Sequence, residues 1–396
     1  MRIQKDDIIK HIKKIRKEIG HDDSDINIQK LIFNDKNNEL WIITPGRPDK
    51  SAIIGKGGWV IGRLKEETNL NKIHVENYSD FLLKEYQMKL SLEKINSFLK
   101  ENSKNNSTYN QRNNQTNHRL NNHLLITPLK NLIFLLEEKI NNIYSFDLES
   151  YFTNITNENK KKHGAVVALS GGIDSSFSLI LAKKLGFNPI AITIDPGTII
   201  LPKQFKDNIK KLCDKINVKQ KYISVNFNEI ITDSLNGRLH PCGRCSSMIE
   251  STIFNYATNN NIDIVIFGDM LSTGLQCITK QIFTPKNDKY CKTNEININD
   301  LSNDNNINSP NNNTKKVYRL NLPATLSISK EEMKNIVFKY NLEKIKGFGC
   351  PLLYETHKKY PHLKKFSVQR ILRETRAGAL ESGEALDLIW SFYKLK

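Results

Sequence analysis

Ala165-Val-Val-Ala-Leu-Ser-Gly-Gly-Ile-Asp-Ser-Ser176 carries an apolar strand straight into a Ser-Gly-Gly turn and then into a helix. This order builds a phosphate site. Gly171 and Gly172 let the backbone turn tightly and come close to an anion, and a helix beginning near Ser175 and Ser176 aims N–H groups and its positive dipole end at that anion. Asp174 stands among these residues as a carboxylate that can orient the loop or a metal ion. The stretch is not a Walker loop, because no Gly-Lys-Ser/Thr follows at the required spacing. Read blandly, it would be a serine and glycine-rich turn without a ligand, but strand, turn and helix in this order favour the phosphate reading.

From Gly164 onward strands alternate with helices. Strands are predicted at 165–169, 189–194, 221–225 and 262–267, with helices reaching to Leu185, over 203–215 and after Cys245. Such alternation predicts an α/β fold, a parallel sheet with helices on both faces. Ligands of such sheets lie beyond the carboxyl ends of the strands. Ser170 to Ser176, Asp195 after the second strand and Gly268-Asp269 after the later strand are thereby expected around one crevice. Asp195 could instead only open the Asp-Pro-Gly turn, and Asp269 could only cap a helix.

The chain has 396 residues, 38% of them apolar, which is enough for two or three domains and a full core in the largest. Lys and Arg exceed Asp and Glu by 59 to 42, a surplus that suits a polyanionic partner without establishing one. No apolar run is long enough to span a bilayer, and Met1 to Gly20 has charged helical periodicity in place of a signal peptide's apolar centre. A cytoplasmic enzyme with no membrane partner is expected. Six cysteines, two of them in Cys242-Gly-Arg-Cys245, fit metal or redox chemistry better than a secreted disulfide framework.

Asparagine clusters at 101–122 and 293–313, where apolar periodicity stops, and both stretches read as linkers or insertions. The predicted organisation is an N-terminal module over 1–95, an Asn-rich linker over 96–125, and a larger domain over 126–396 with an insertion near 280–315 and a basic C-terminal helical region. In the first module Ile8, Ile9, Ile12, Ile15 and Ile19 recur at helical spacing. Strand-like runs follow at 26–33 and 39–44. Gly55-Lys56-Gly57-Gly58 then falls between two short helices, ahead of a closing strand at 72–76.

This helix, strand, strand, helix, helix, strand order and the Gly55-x-x-Gly58 loop resemble a KH domain of the prokaryotic type, a small α+β module. The resemblance implies that Gly55, Lys56, Gly57 and Gly58 clamp about four nucleotides of single-stranded nucleic acid. The Ser-Gly-Gly-Ile-Asp-Ser-Ser order resembles the signature of the PP-loop ATP pyrophosphatases, whose domain is adenine nucleotide alpha hydrolase-like and Rossmann-like. These enzymes split ATP between the alpha and beta phosphates to adenylate a substrate. By that resemblance Ser170, Gly171, Gly172, Asp174, Ser175 and Ser176 hold ATP with Mg2+, helped by Asp195, Gly268 and Asp269. Many relatives have Gly-His followed by acidic residues where this chain has Gly268-Asp269-Met-Leu-Ser-Thr273.

The two thiols of Cys242-x-x-Cys245 can meet one metal ion or cluster edge, and Cys350, set in a turn by Gly349 and Pro351, is the best third ligand. PP-loop, CxxC and a later single Cys together resemble tRNA thiolases that carry a [4Fe-4S] cluster on three cysteines. The resemblance covers roughly 160–395 and makes Asp174, Cys242 and Cys350 the expected catalytic residues, acting on tRNA or another RNA with a sulfide or persulfide donor. Two other readings of the cysteines stand beside it: a structural Zn2+ site using Cys277, Cys291 or His240 as fourth ligand, and a redox pair carrying persulfide. Cys213, in a lysine-rich helix, reads as a core or surface residue. The segment 358–376 holds seven Lys/Arg and one Glu with Tyr360, His362 and Phe366 interleaved, which suits either a nucleic acid or an amphipathic helix packed on the core. Other activities left open are a PP-loop ligase or amidotransferase of the deazaguanine nitrile synthase kind with zinc-binding cysteines, and a nucleotide-sensing RNA-binding protein. The base modified, the sulfur donor and whether the chain forms a homodimer are not legible.

Overall fold

The structure is a computed structural model that describes residues 4–21, 24–35, 37–108, 116–144, 146–154, 162–283, 315–343, 349–380 and 382–393. The chain divides into two compact units, 1–89 with 136–147, and 90–135 with 148–396.

The first unit contains α1 (Lys5–Glu18), β1 (Lys30–Asn34), β2 (Glu39–Thr44), α2 (Arg47–Ile54), α3 (Trp59–Thr68) and β3 (Lys72–Asn77). β2 is central, antiparallel to β1 and parallel to β3. Ile8, Ile12 and Ile15 of α1, Ile53 of α2, and Val60 and Leu64 of α3 are buried with Leu40 and Ile42 of β2 in one core. The 3.6-residue spacing of the isoleucines in α1 thus produces the face that closes this sheet.

α4 (Tyr78–Thr108), α5 (Thr116–Asn141) and α6 (Leu148–Asn154) follow. Here the fold differs from the expected Asn-rich linker over 96–125, which is helical wherever it is described. Asparagine has only a modest helix penalty, and Met88, Ile95, Phe98, Leu125, Leu129 and Leu132 supply buried anchors on either side of the polar stretch.

The second unit is built on a six-stranded sheet in the order β6-β5-β4-β7-β9-β8. Its elements run β4 (Gly164–Ala168), α7 (Ile173–Leu185), β5 (Asn188–Asp195), α8 (Lys203–Ile216), β6 (Lys219–Ser224), α9 (Asn228–Leu235), α10 (Pro241–Asn259), β7 (Ile264–Phe267), β8 (Ile278–Phe283) and β9 (Lys315–Asn321). Five strands are parallel and the edge strand β8 runs antiparallel to β9. Ala165, Val166 and Val167 of β4 and all of β7 are buried, as strands covered on both faces require. β8 and β9 escape the sequence reading because they flank the Asn-rich stretch, and the insertion expected at 280–315 falls mostly outside the described residues. α11 (Leu322–Thr325), α12 (Lys330–Phe338), α13 (Pro351–Lys359), α14 (Lys364–Arg376) and α15 (Ser382–Tyr393) complete the unit. Among the described residues no helix is long and apolar enough to cross a membrane.

Candidate active site

Strand order reverses at β4, with β5 on one side and β7 on the other, so the carboxyl end of β4 opens at a topological switch point. The turn 170–172 sits there, at the mouth of a cavity of about 840 Å³ that also reaches Glu250, Lys330, Cys350 and Arg370. That volume lies within the range of small-molecule and cofactor sites.

The loop is held by its own serines. Ser175 Oγ accepts from Ser170 N–H at 3.1 Å, donates to the Gly172 carbonyl at 3.1 Å and stands 3.0 Å from Ser170 Oγ. Gly171 has φ +79°, and a Cβ there would lie 2.6 Å from the carbonyl oxygen of Phe205. Gly268 is required for a different reason, since its Cβ would lie 2.8 Å from the Asp174 backbone. The end of β7 therefore packs directly under the start of α7. Ser176 N–H makes the first intrahelical bond, to Gly172 C=O at 3.0 Å. Ile173, Asp174 and Ser175 line the cavity and their N–H groups precede that ladder, the helix start at which anions are commonly held.

Around it stands a charged frame that sequence reasoning missed. Lys330 Nζ lies 3.9 Å from Asp174 Oδ2 and 3.2 Å from Glu374 Oε2, and Arg370 Nε donates to Glu374 Oε1 at 3.0 Å. Burial pushes the Asp174 carboxyl up, Lys330 opposes that, and Glu374 adds to it. Arg319 is fixed in the wall by Glu250 at 2.9 Å, by Asp269 at 3.8 Å and by the Phe267 ring 4.4 Å away. The capping box of Ser329 and Glu332 at the start of α12 was the available signal for Lys330. Arg319 Nε donates to Asn321 of its own strand at 3.2 Å, but the carboxylates and the ring that fix it come from other elements, and nothing local marks it.

Asp269 lines the cavity and also ties the turn after β7, accepting from Leu271 N–H at 2.8 Å and from Ser272 Oγ. Asp195 does not line the cavity. It accepts from Gly197 N–H at 3.1 Å and pairs with Lys206 at 2.6 Å, the role of a residue opening an Asp-Pro-Gly turn.

Cys242 and Cys245 sit in the first turns of α10, and Cys350 caps α13. Burial raises all three thiols, Cys242 to about 11 and Cys245 to about 12; Cys350 adds to both, and Arg370 offsets part of the rise at Cys242. The three are thus within electrostatic reach of one another, although among the described residues no three His, Cys, Asp or Glu side chains form a closed ligand set. An all-thiol donor set suits a thiophilic centre such as an iron-sulfur cluster. The candidate fourth ligands Cys277 and His240 make other contacts, and Cys213 lies in the core. Cys277 is buried with its Sγ donating to the Ser91 carbonyl at 3.8 Å, Cys213 is buried on α8, and His240 Nε2 lies 3.2 Å from Ser367 Oγ. Cys291 lies outside the described residues.

In the first unit Gly55, Gly57 and Gly58 have φ of +73°, +65° and +79°, and Lys56 is exposed beside Trp59, which is 68% exposed.

Residues 164–268, from β4 to the turn that supports the loop, match the family model of the queuosine biosynthesis protein QueC. An uncharacterized protein of Methanocaldococcus jannaschii, MJ1638, is 31% identical over 226 residues, 57% of this chain and 72% of that protein. The tRNA-specific 2-thiouridylase MnmA 2 of Fusobacterium nucleatum is 27% identical over 187 residues, 45% of this chain and 51% of that one. The chain belongs to the PP-loop ATP pyrophosphatase superfamily. PP-loop thiouridylases of this kind are matched over about half their length or less. Among solved structures, the U34-tRNA thiolase NcsA from Methanococcus maripaludis with its [4Fe-4S] cluster aligns at 16% identity and TM-score 0.32, covering 62% of this chain and 77% of that one.

Proposed function

We propose that this PP-loop protein is a cytoplasmic, ATP-dependent tRNA sulfurtransferase: it adenylates a nucleobase carbonyl and replaces its oxygen with sulfur. The observation that carries the reading is that the phosphate loop and Cys350 line one cavity, with Cys242 and Cys245 in electrostatic reach of Cys350. ATP places its phosphates on the first N–H groups of α7, with Mg2+ and Asp174 beside them and Lys330 facing the leaving pyrophosphate. The base's carbonyl oxygen attacks the alpha phosphorus, the bond to the beta phosphate breaks, and pyrophosphate leaves. Sulfide then attacks the activated carbon, and AMP departs with the original oxygen. A persulfide donor would instead give a base–S–S–cysteine adduct, whose S–S bond a second thiol must open, leaving the sulfur on the base and a disulfide between the two thiols.

Cys242, Cys245 and Cys350 would hold a [4Fe-4S] cluster, which with three protein thiolates supplies one iron open to sulfur. The Gly55-Lys56-Gly57-Gly58 loop of the KH-like unit would grip single-stranded RNA. The QueC match favours a second reading, in which ammonia takes the place of sulfur and the cysteines bind Zn2+.

Iron, sulfide and zinc content with an ultraviolet–visible spectrum, on protein purified without oxygen, separates the two. About four irons per chain, lost in Cys350→Ala, supports sulfur transfer; one zinc without iron supports amination. The mass of the modified nucleoside confirms which atom enters.

A further inference from the structure

α14 carries five cations, Lys364, Lys365, Arg370, Arg373 and Arg376, and a single acid, Glu374. That acid is buried, held between Arg370 and Lys330. Lys365, Phe366, Arg370, Arg373 and Arg376 are exposed, so the solvent side of the helix presents positive charge alone. An ordinary solvated face mixes both signs. The opposite side does the packing, with Ile371 and Val368 set against Leu380, Ala385 and Phe392. Phe366, 42% exposed, is therefore not spent on the core.

Aromatic rings and cations alternate along this face. Lys365 Nζ stands 5.1 Å from the centre of the Phe366 ring, and Lys364 Nζ stands 5.6 Å from that of Tyr393 on α15, which is 63% exposed. Phe366 also leans on His240, with ring centres 5.4 Å apart, and His240 is the N-cap of the helix that carries Cys242 and Cys245. One turn along α14 from Phe366, on the same side, Arg370 lines the cavity. The face thus leads from open solvent to the start of the helix that carries the thiols and, through Arg370, to the cavity.

We infer that this face of α14, with Tyr393, is the docking surface for a single-stranded stretch of the RNA substrate. Phosphates lie along Lys365, Arg373 and Arg376, a base stacks on Phe366, and the neighbouring nucleotide enters the cavity past Arg370. Uniform positive charge calls for a polyanion, and exposed rings call for bases that are not already stacked in a duplex. The inference rests on the reading of RNA as the substrate.

The test measures binding of unfractionated tRNA to the full chain across a salt series, with thermal unfolding as the check on folding. Phe366→Ala should weaken binding about ten-fold, the range of one lost base stack. Lys365→Ala with Arg373→Ala should lower the slope of log affinity against log salt by about 1.5. Phe366→Tyr should restore the wild-type affinity, which a merely misfolded alanine variant does not predict. Wild-type binding with both variants unchanged overturns this surface and leaves the tRNA reading standing. No binding by the wild-type chain overturns both.

Discussion

Two glycine loops in this molecule look alike in sequence and differ in what surrounds them. At Ser170-Gly-Gly, the glycines that matter are closed in: a methyl group at Gly171 would meet the Phe205 carbonyl at 2.6 Å, and one at Gly268 would meet the Asp174 backbone at 2.8 Å. At Gly55-Lys56-Gly57-Gly58, only Gly55 is crowded, by Val60 at 2.3 Å, while Gly57 and Gly58 meet nothing closer than 3.4 Å. The first loop lines a cavity of about 840 Å³, so what it can hold is limited to what fits inside. The second is an open turn with a left-handed backbone, and Lys56 and Trp59 on it are exposed. A glycine can thus record close approach or backbone handedness, and only the first implies a shaped pocket.

The difference is broken most sharply by adding one methyl group. Gly268→Ala should abolish ATP-dependent pyrophosphate release, with at least a hundred-fold loss expected from displacing the loop by a fraction of an ångström, on the order that misplacement costs a preorganised site. Gly58→Ala should leave that release intact and cost only about 1 kcal/mol in stability, the usual strain of a left-handed alanine. Equal losses at both positions would erase the contrast.

The next effect is on charge. Lys330→Met should raise the KM for ATP about thirty-fold, the scale of a lost charge-assisted bond, while binding of adenosine stays near wild type. Loss of both to the same degree would place Lys330 in the scaffold and not at the phosphates. In the open loop, Gly57→Asp with Gly58→Asp should weaken RNA binding about ten-fold by setting carboxylates against phosphates. Aspartate tolerates the left-handed backbone, so unfolding is not the expected cause. Unchanged affinity would remove this loop from the RNA path.

The parallel sheet was legible because its strands are short apolar runs ending at punctuated turns, and the phosphate loop because its serines, glycines and aspartate are contiguous. The helix, strand, strand, helix, helix, strand order of the first unit was legible for the same reason, through the isoleucine spacing of α1. What escaped is built across the chain. β8 and β9 pair over a long Asn-rich stretch, and Lys330, Arg319, Arg370 and Glu374 meet the loop only after α12, β9 and α14 have packed around it. Asp195 admits two readings from sequence, an ATP contact and the opening of an Asp-Pro-Gly turn. Its position at a strand end suggested ATP, yet Lys206, eleven residues on, and the Gly197 N–H already satisfy it. The asparagines of 96–125 suggested a break where buried leucines and phenylalanines on both sides sustain helices.

The smallest effect concerns the closed loop's own stability. Asp174 is half-buried at the start of α7, and loss of water around its carboxyl raises it above the usual 3.8, with Glu374 adding to the rise and Lys330 opposing it. A raised acid holds its proton longer in the folded chain than in the unfolded one, so the folded state binds more protons between 3.8 and the raised value. Stability contributed by this group is present at low pH and falls as pH rises through that window. Asp174→Asn removes the titration and leaves the helix start polar. At neutral pH the variant should therefore melt higher than wild type, while losing pyrophosphate release. The gain should shrink as pH is lowered and vanish below 3.8. A variant that melts lower at neutral pH would mean that the Lys330 pair outweighs burial, and that the loop is held together by the charge it was expected to strain against.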